Sequence, residues 1–250
     1  MATLYLLGTG ASLSDPHRTT TMLAVENDDG SLLVDCGGDA LQRLLASGGD
    51  PSRIRALIIT HEHPDHVSGF PLLMEKLWLH GRREPLDVYG IDPAIRQAQR
   101  AHDSFDTSAW PDYPEIRYHP VALQEGAAVL ERDGWQVSAS PGIHAVPVVG
   151  LRFRDVTGGG VVAYSCDTEY CDRIVRLAQD AQVLIHEATG NGPGHSSAVE
   201  AARVAAEARA ERLLLVHLPS EEQLGPEELA TARKTFPNME KGLEGGRYRF

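Results

Sequence analysis

The heptapeptide Thr60-His61-Glu62-His63-Pro64-Asp65-His66 crowds three imidazoles and two carboxylates into one short stretch. Imidazole nitrogens and carboxylate oxygens at this density suit zinc or another divalent transition ion. The run follows Leu57-Ile58-Ile59, so it begins where a buried strand ends. Residues two apart at a strand end point the same way, which lets His61 and His63 grip one ion together. Pro64 turns the chain, and Asp65 and His66 beyond it can face a neighbouring ion. A solvated polar loop does not account for this crowding.

Two ions need further ligands, and later segments supply them. His144 precedes Ala145-Val146-Pro147-Val148-Val149, Asp167 follows Ala163-Tyr164-Ser165-Cys166, and His217 follows Leu213-Leu214-Leu215-Val216. A ligand type beside an apolar run is what a site along one sheet edge requires, although each residue alone also suits a structural role. The two oxygens of Asp167 can bridge a pair of ions. Two ions about 3.5–4 Å apart can share one water and make it a bridging hydroxide near neutral pH.

Such a site needs a scaffold that gathers distant segments. Residues 3–7, 22–26 and 32–35 read as short strands, and 56–59 as a buried one. Residues 39–46 have apolar side chains at helical spacing and stop at Gly48-Gly49; 72–79 and 93–102 are also helical, and 86–89 is a strand. Strands follow at 127–130, 136–140, 146–153 and 161–165. Helices at 173–179 and 197–207 alternate with strands at 183–185 and 213–216, and a helix at 226–235 precedes an irregular tail. The two halves are similar, each with a His-bearing loop after a buried strand. Packed sheets with helices outside would bring these strand ends to one edge. No repeat or linker divides the chain, so residues 1–250 are expected to form one domain.

Composition narrows the class. No apolar run reaches the roughly 18 residues of a membrane span, and the start lacks the basic flank and apolar run of a signal peptide. Three cysteines form no disulfide framework and fit a reducing cytoplasm. A formal charge of −12 repels phosphate backbones, so a nucleic acid would need a local positive patch.

The His-x-His-x-Asp-His run, followed by His144, Asp167 and His217, resembles the metallo-β-lactamase superfamily. Within it the chain is most similar to ribonuclease Z and its phosphodiesterase relatives. The motifs are Leu7-Gly8-Thr9-Gly10, Asp35-Cys36-Gly37 with Gln42-Arg43, Gly69-Phe70-Pro71-Leu72-Leu73, and Ser165-Cys166-Asp167-Thr168. His186-Glu187-Ala188-Thr189 and Gly194-His195-Ser196-Ser197 narrow the match further. The resemblance implies an α/β fold, a four-layer αββα sandwich with the metal site at one edge of its two sheets. It implies that His61, His63 and His144 hold one ion, that Asp65, His66 and His217 hold the other, and that Asp167 bridges them. Zn2+ is the expected ion, with Mn2+ or Fe2+ as alternatives. The implied protein is a cytoplasmic homodimer with no membrane contact, acting on RNA 3′ ends, tRNA among them, or on small phosphodiesters.

On this reading Asp65 receives the attacking water's proton and His195 protonates the leaving alkoxide. Glu187 holds the His195 ring and favours its charged form. His186 is read as structural, and His17, His80, His102 and His119 as surface or packing residues. Cys166 stands where the family often has Gly and is read as a small packed residue. Asp35 belongs to the turn behind the site, Gly8 and Gly10 to a tight turn, and Arg18 is placed to touch a substrate phosphate.

Two features depart from the family pattern. Ribonuclease Z enzymes that process tRNA usually carry a long Gly/Pro-rich arm between the equivalents of His144 and Asp167, which here stand 23 positions apart. Leu218-Pro219-Ser220 follows His217, where the family tends to have Ile-Ser and then basic or aromatic residues. Two other functions therefore stay open: hydrolysis of a carboxylic ester, thioester or lactone, and a non-catalytic metal-bearing scaffold that binds RNA.

Overall fold

Apolar runs and alternating strands assemble into two mixed sheets in the computed structural model, which describes residues 1–13, 15–220 and 223–250. The first sheet begins as an antiparallel meander of β1 (Thr3–Gly8), β2 (Met22–Glu26) and β3 (Ser31–Val34). It continues in parallel through β4 (Ile54–Ile59), β5 (Leu86–Ile91) and β6 (Ile116–Val121). The second repeats the plan: β7 (Ala127–Arg132), β8 (Trp135–Pro141), β9 (Val149–Asp155) and β10 (Val161–Tyr164) pair antiparallel. Parallel pairing then adds β11 (Val183–Glu187), β12 (Arg212–Val216) and β13 (Met239–Lys241). The last strand, β14 (Arg247–Arg249), returns to pair with β1.

Parallel strands are covered on both faces, which is why β4 and β12 are apolar nearly throughout. Between the sheets, Leu6, Val25, Leu33 and Ile58 share one buried cluster with Val137, Leu151, Phe153 and Ile185. Helices α1 (Ala40–Ala46), α3 (Phe70–Leu79) and α4 (Asp92–Asp103) supply Leu41, Leu44, Leu73 and Ala98 to that cluster. A second cluster lies under α5 (Asp172–Leu177), α6 (Ala198–Glu207) and α7 (Pro226–Thr235). Small Ala198, Ala201, Ala202 and Ala205 let α6 settle closely on Leu184, Leu213 and Leu215. A reciprocal cap between Ser197 and Glu200 fixes where α6 starts, just after the loop that carries His195.

Helices therefore flank a pair of sheets, and the α/β sandwich expected from the sequence is the fold. Three local expectations need correction. Residues 242–250 are not all irregular, and 239–241 is a strand: the tail forms β13 and β14, one on each sheet. Residues 146–148 are not strand, because β9 begins at Val149 and His144 stands in the turn after β8. β6 had no expected counterpart. Its Pro120 removes a backbone donor, which an edge strand tolerates.

Candidate metal centre

β4 of the first sheet and the mutually parallel β10, β11 and β12 of the second lead into the site, delivering His61, Asp167, Glu187 and His217 there. Asp35, Cys166 and His217 follow their strands with φ of +57°, +53° and +50°, which turns each chain sharply at the site. The left-handed region costs a residue with a Cβ roughly 1–2 kcal/mol, so surrounding bonds must hold these three in place. Pro64 opens α2 (Pro64–Val67), a single helical turn that carries Asp65 and His66. Gly37 lets this turn approach, since a Cβ there would lie 1.7 Å from Asp65 O.

The side chains converge closely. His63 Nδ1 lies 3.1 Å from both His61 Nε2 and His144 Nε2. Asp167 Oδ2 is 3.9 Å from each of the latter two nitrogens and 3.3 Å from His217 Nε2. Asp65 Oδ2 lies 3.5 Å from His66 Nε2 and 3.3 Å from His217 Nε2. All seven residues singled out for ligation thus face one pocket.

Hydrogen bonds at the rear of the rings decide which nitrogens carry protons. His66 Nδ1 donates to Asp35 Oδ2 at 2.8 Å, and His144 Nδ1 donates to the Gly194 carbonyl at 2.7 Å. The single hydroxyl hydrogen of Thr189 goes to His217 O at 2.8 Å, so its oxygen accepts from His217 Nδ1 at 2.7 Å. Thr60 likewise gives its hydrogen to Asp35 and accepts from His61 Nδ1 at 3.1 Å. Four rings therefore spend Nδ1 on a partner behind them and turn Nε2 inward. Buried His66 Nε2 and Asp167 Oδ1 have no hydrogen-bond partner. Convergent lone pairs, two carboxylates and these orphaned atoms fit divalent cations.

The neighbouring carboxylates act unevenly on the rings. Burial disfavours charge on His66, but Asp167 and Asp35 together outweigh it and lift its pKa well above the ordinary range. His61, desolvated and beside His66, is pushed well below it. Burial raises the Asp65 carboxyl, yet His217 and His66 overcome this and hold it low.

His195 stands at the mouth. Its Nδ1 is 2.9 Å from Glu187 Oε1, and its side chain is 23% exposed while Glu187 is fully buried. Its ring stacks on His217 at 5.6 Å between centroids. Glu187 also accepts the backbone N–H groups of Thr168 and Thr189, which fixes its aim. The bond to Glu187 raises the His195 pKa, against burial.

Other expected residues lie apart from the centre. His186 is buried and its Nδ1 donates to the Glu187 carbonyl. His102 meets Tyr113, His119 meets Asp87, and His17 and His80 are exposed. Arg18 is not free for a phosphate in the way expected: one amino group binds both Asp15 and Pro219 O. Cys166 is fully buried, its Sγ 3.0 Å from Thr60 Oγ1. Its positive φ explains why glycine suits this position. Asp35 does more than form a turn, since both its oxygens accept bonds that orient Thr60 and His66. Thr189 and Thr60 had no assigned role; a hydroxyl beside a ligand strand was their only signal.

The family description "Beta-lactamase superfamily domain" matches residues 31–218. A protein named ribonuclease Z from Myxococcus xanthus is 31% identical, covering 93% of this chain and 92% of its own. Another ribonuclease Z, from Methanothermobacter thermautotrophicus, is 29% identical over 95% of this chain and 93% of its own. Among solved structures, the metallo-β-lactamase fold protein YhfI from Bacillus subtilis superposes with a TM-score of 0.81 at 24% identity, covering 99% and 98% of the two chains. The short form of human tRNase Z gives 0.77 at 23%, covering 100% and 99%. By the sequence matched and the sandwich shared, this chain belongs to the β-lactamase superfamily and, within it, to the ribonuclease Z family.

Proposed function

We propose that the chain is a two-metal phosphodiesterase of the ribonuclease Z type, cleaving RNA 3′ ends or small phosphodiesters. His61, His63 and His144 would hold one ion, Asp65, His66 and His217 would hold the other, and Asp167 would serve both. Bound there, the ions would draw charge from a phosphoryl oxygen and make a water nucleophilic near neutral pH. Asp65 receives a proton from that water as its oxygen bonds to phosphorus. His195 Nε2 gives a proton to the departing oxygen as the phosphorus–oxygen bond breaks. Glu187 stabilises the ring while it is charged and keeps Nε2 turned outward by engaging Nδ1.

The observation that carries this reading is the His195–Glu187 pair at 2.9 Å, an imidazole held by a buried carboxylate at the mouth of the ligand cluster. An alkoxide leaving group needs such a donor. Beside it lies a cavity of about 430 Å³ lined by Glu169, Tyr170, Asn191 and Glu200. Its carboxylates favour a compact, uncharged leaving group over a further run of phosphates. Residues 156–160 alone connect β9 to β10, which leaves no room there for a clamping arm.

Zinc fits the mixed imidazole and carboxylate set best. Three buried free cysteines support a reducing cytoplasm, and no helix among the described residues is long and apolar enough to cross a membrane. Exposed Leu72 and Leu79 of α3 and Phe105 just past α4 offer a face for a second copy. The zinc-loaded protein should be given precursor tRNA, bis(p-nitrophenyl) phosphate and acyl esters side by side. Rapid ester turnover with neither phosphodiester cleaved would sink the proposal.

A further inference from the structure

The carboxylate of Glu244, in the tail between β13 and β14, accepts four bonds from three distant segments. Oε2 takes Thr9 N and Thr9 Oγ1, each at 2.9 Å, and Oε1 takes Thr19 N at 2.9 Å and an Arg43 guanidinium nitrogen at 2.7 Å. Both ends of the first loop, 9–21, are thereby tied to one acidic group. The two ends of that segment lie close together, since a Cβ at Gly8 would sit 2.0 Å from Thr20 O. Gly8 and Gly10 thus serve the close approach of Thr19 and Thr20.

That loop grips the backbone around His217. Thr21 Oγ1 donates to Gly10 O at 3.0 Å and accepts His217 N at 3.0 Å. Leu218 N donates to Thr9 O at 2.9 Å, and Ala11 N donates to Leu218 O at 3.0 Å. His217 is the residue whose φ of +50° must be held against its own preference. A β-strand continuing past Val216 would turn its imidazole away from the pocket.

We propose that Glu244 is a positioning residue for His217: through Thr9, Gly10 and Thr21 it locks the turn that presents this ring. The proposal rests on the two-metal reading, and it assigns Glu244 to the ion shared by Asp65, His66 and His217. Only the backbone of that turn depends on Glu244, because Thr189 orients the ring separately. An isosteric Glu244→Gln replaces one accepting oxygen with a donor among four donors, so at least one tie breaks.

The test is titration of the metal-stripped chain with Co2+, following the visible absorption of each site and competing with a chelator. Glu244→Gln and Thr21→Val should bind one Co2+ as the parent does and the other about tenfold more weakly, the range seen for residues behind metal ligands. Combined, they should cost no more than the larger single effect, because one line of bonds is cut. Thr9→Val, which removes one of the four bonds, should fall in between and serves if Glu244→Gln does not fold. Equal weakening of both ions, multiplying effects, or a lower melting temperature with unchanged Co2+ affinity would each overturn the role of Glu244 while leaving the two-metal reading intact. A parent chain that binds fewer than two Co2+ overturns both.

Discussion

His66 Nε2 and Asp167 Oδ1 face each other across 3.6 Å of protein interior, and neither has a hydrogen-bond partner. Buried polar atoms left this way cost roughly 1–3 kcal/mol each. The folded chain should therefore be markedly steadier with cations bound. At a free ion concentration about a thousand times Kd, linkage gives about 4 kcal/mol. For a chain of this size that is a melting shift on the order of 10 °C. Differential scanning fluorimetry with and without a chelator measures it; superimposable curves would speak against an ion in the pocket.

His195→Ala should keep both ions and lose about 10²–10⁴-fold in turnover. The loss should be smaller on bis(p-nitrophenyl) phosphate, whose phenolate leaves without help, than on a dialkyl ester of phosphoric acid. Metal analysis alongside kcat for the two substrates gives the comparison. Equal losses on both would remove His195 as the proton donor.

The pH profile carries a signed expectation. Glu187 raises the His195 pKa, so the acid form persists to higher pH than an ordinary histidine would allow. Turnover should fall as pH climbs through that raised value, when the donor loses its proton. Glu187→Gln withdraws the negative charge, and the alkaline limb of kcat should move to lower pH. A limb that stays in place would assign it to some other group.

Thr189→Val removes the hydroxyl that both anchors His217 O and accepts from His217 Nδ1. The ring is then free to choose the tautomer that protonates Nε2. Affinity for one ion should drop about 10–100-fold, with little change in the far-ultraviolet circular dichroism. Calorimetric titration with Zn2+ would show it, and full affinity would mean that packing alone sets the ring.

The residues that converge at the pocket were legible because each is a rare donor type beside an apolar run, and apolar runs mark strands. The strands β4, β11 and β12 were legible for the same reason, while the sandwich they build came from the family resemblance of the motifs. The edge strands were not. Met-Glu-Lys and Arg-Tyr-Arg are three-residue strands with no apolar run, and β6 interleaves Arg117, His119 and Pro120. Thr60, Thr189 and Glu244 escaped notice for a different reason. Hydroxyls and surface-type acids are common, and their partners, such as Thr9 for Glu244, stand as much as 235 positions away. Arg18 misled because a cation near threonines suits a phosphate equally well in sequence, while in space Asp15 already claims it.

The closing strands have a consequence for durability. β13 seals β12 on one sheet, and β14 seals β1 on the other, with only a few residues strung between them. A protease that nicked the chain ahead of Met239 would bare two unpaired ladders at a stroke, both lying beside apolar neighbours. Exposed ladders of that kind invite strangers to stack on them. Trimmed molecules would thus be expected to clump before they lose their helices, a failure that begins at the rim.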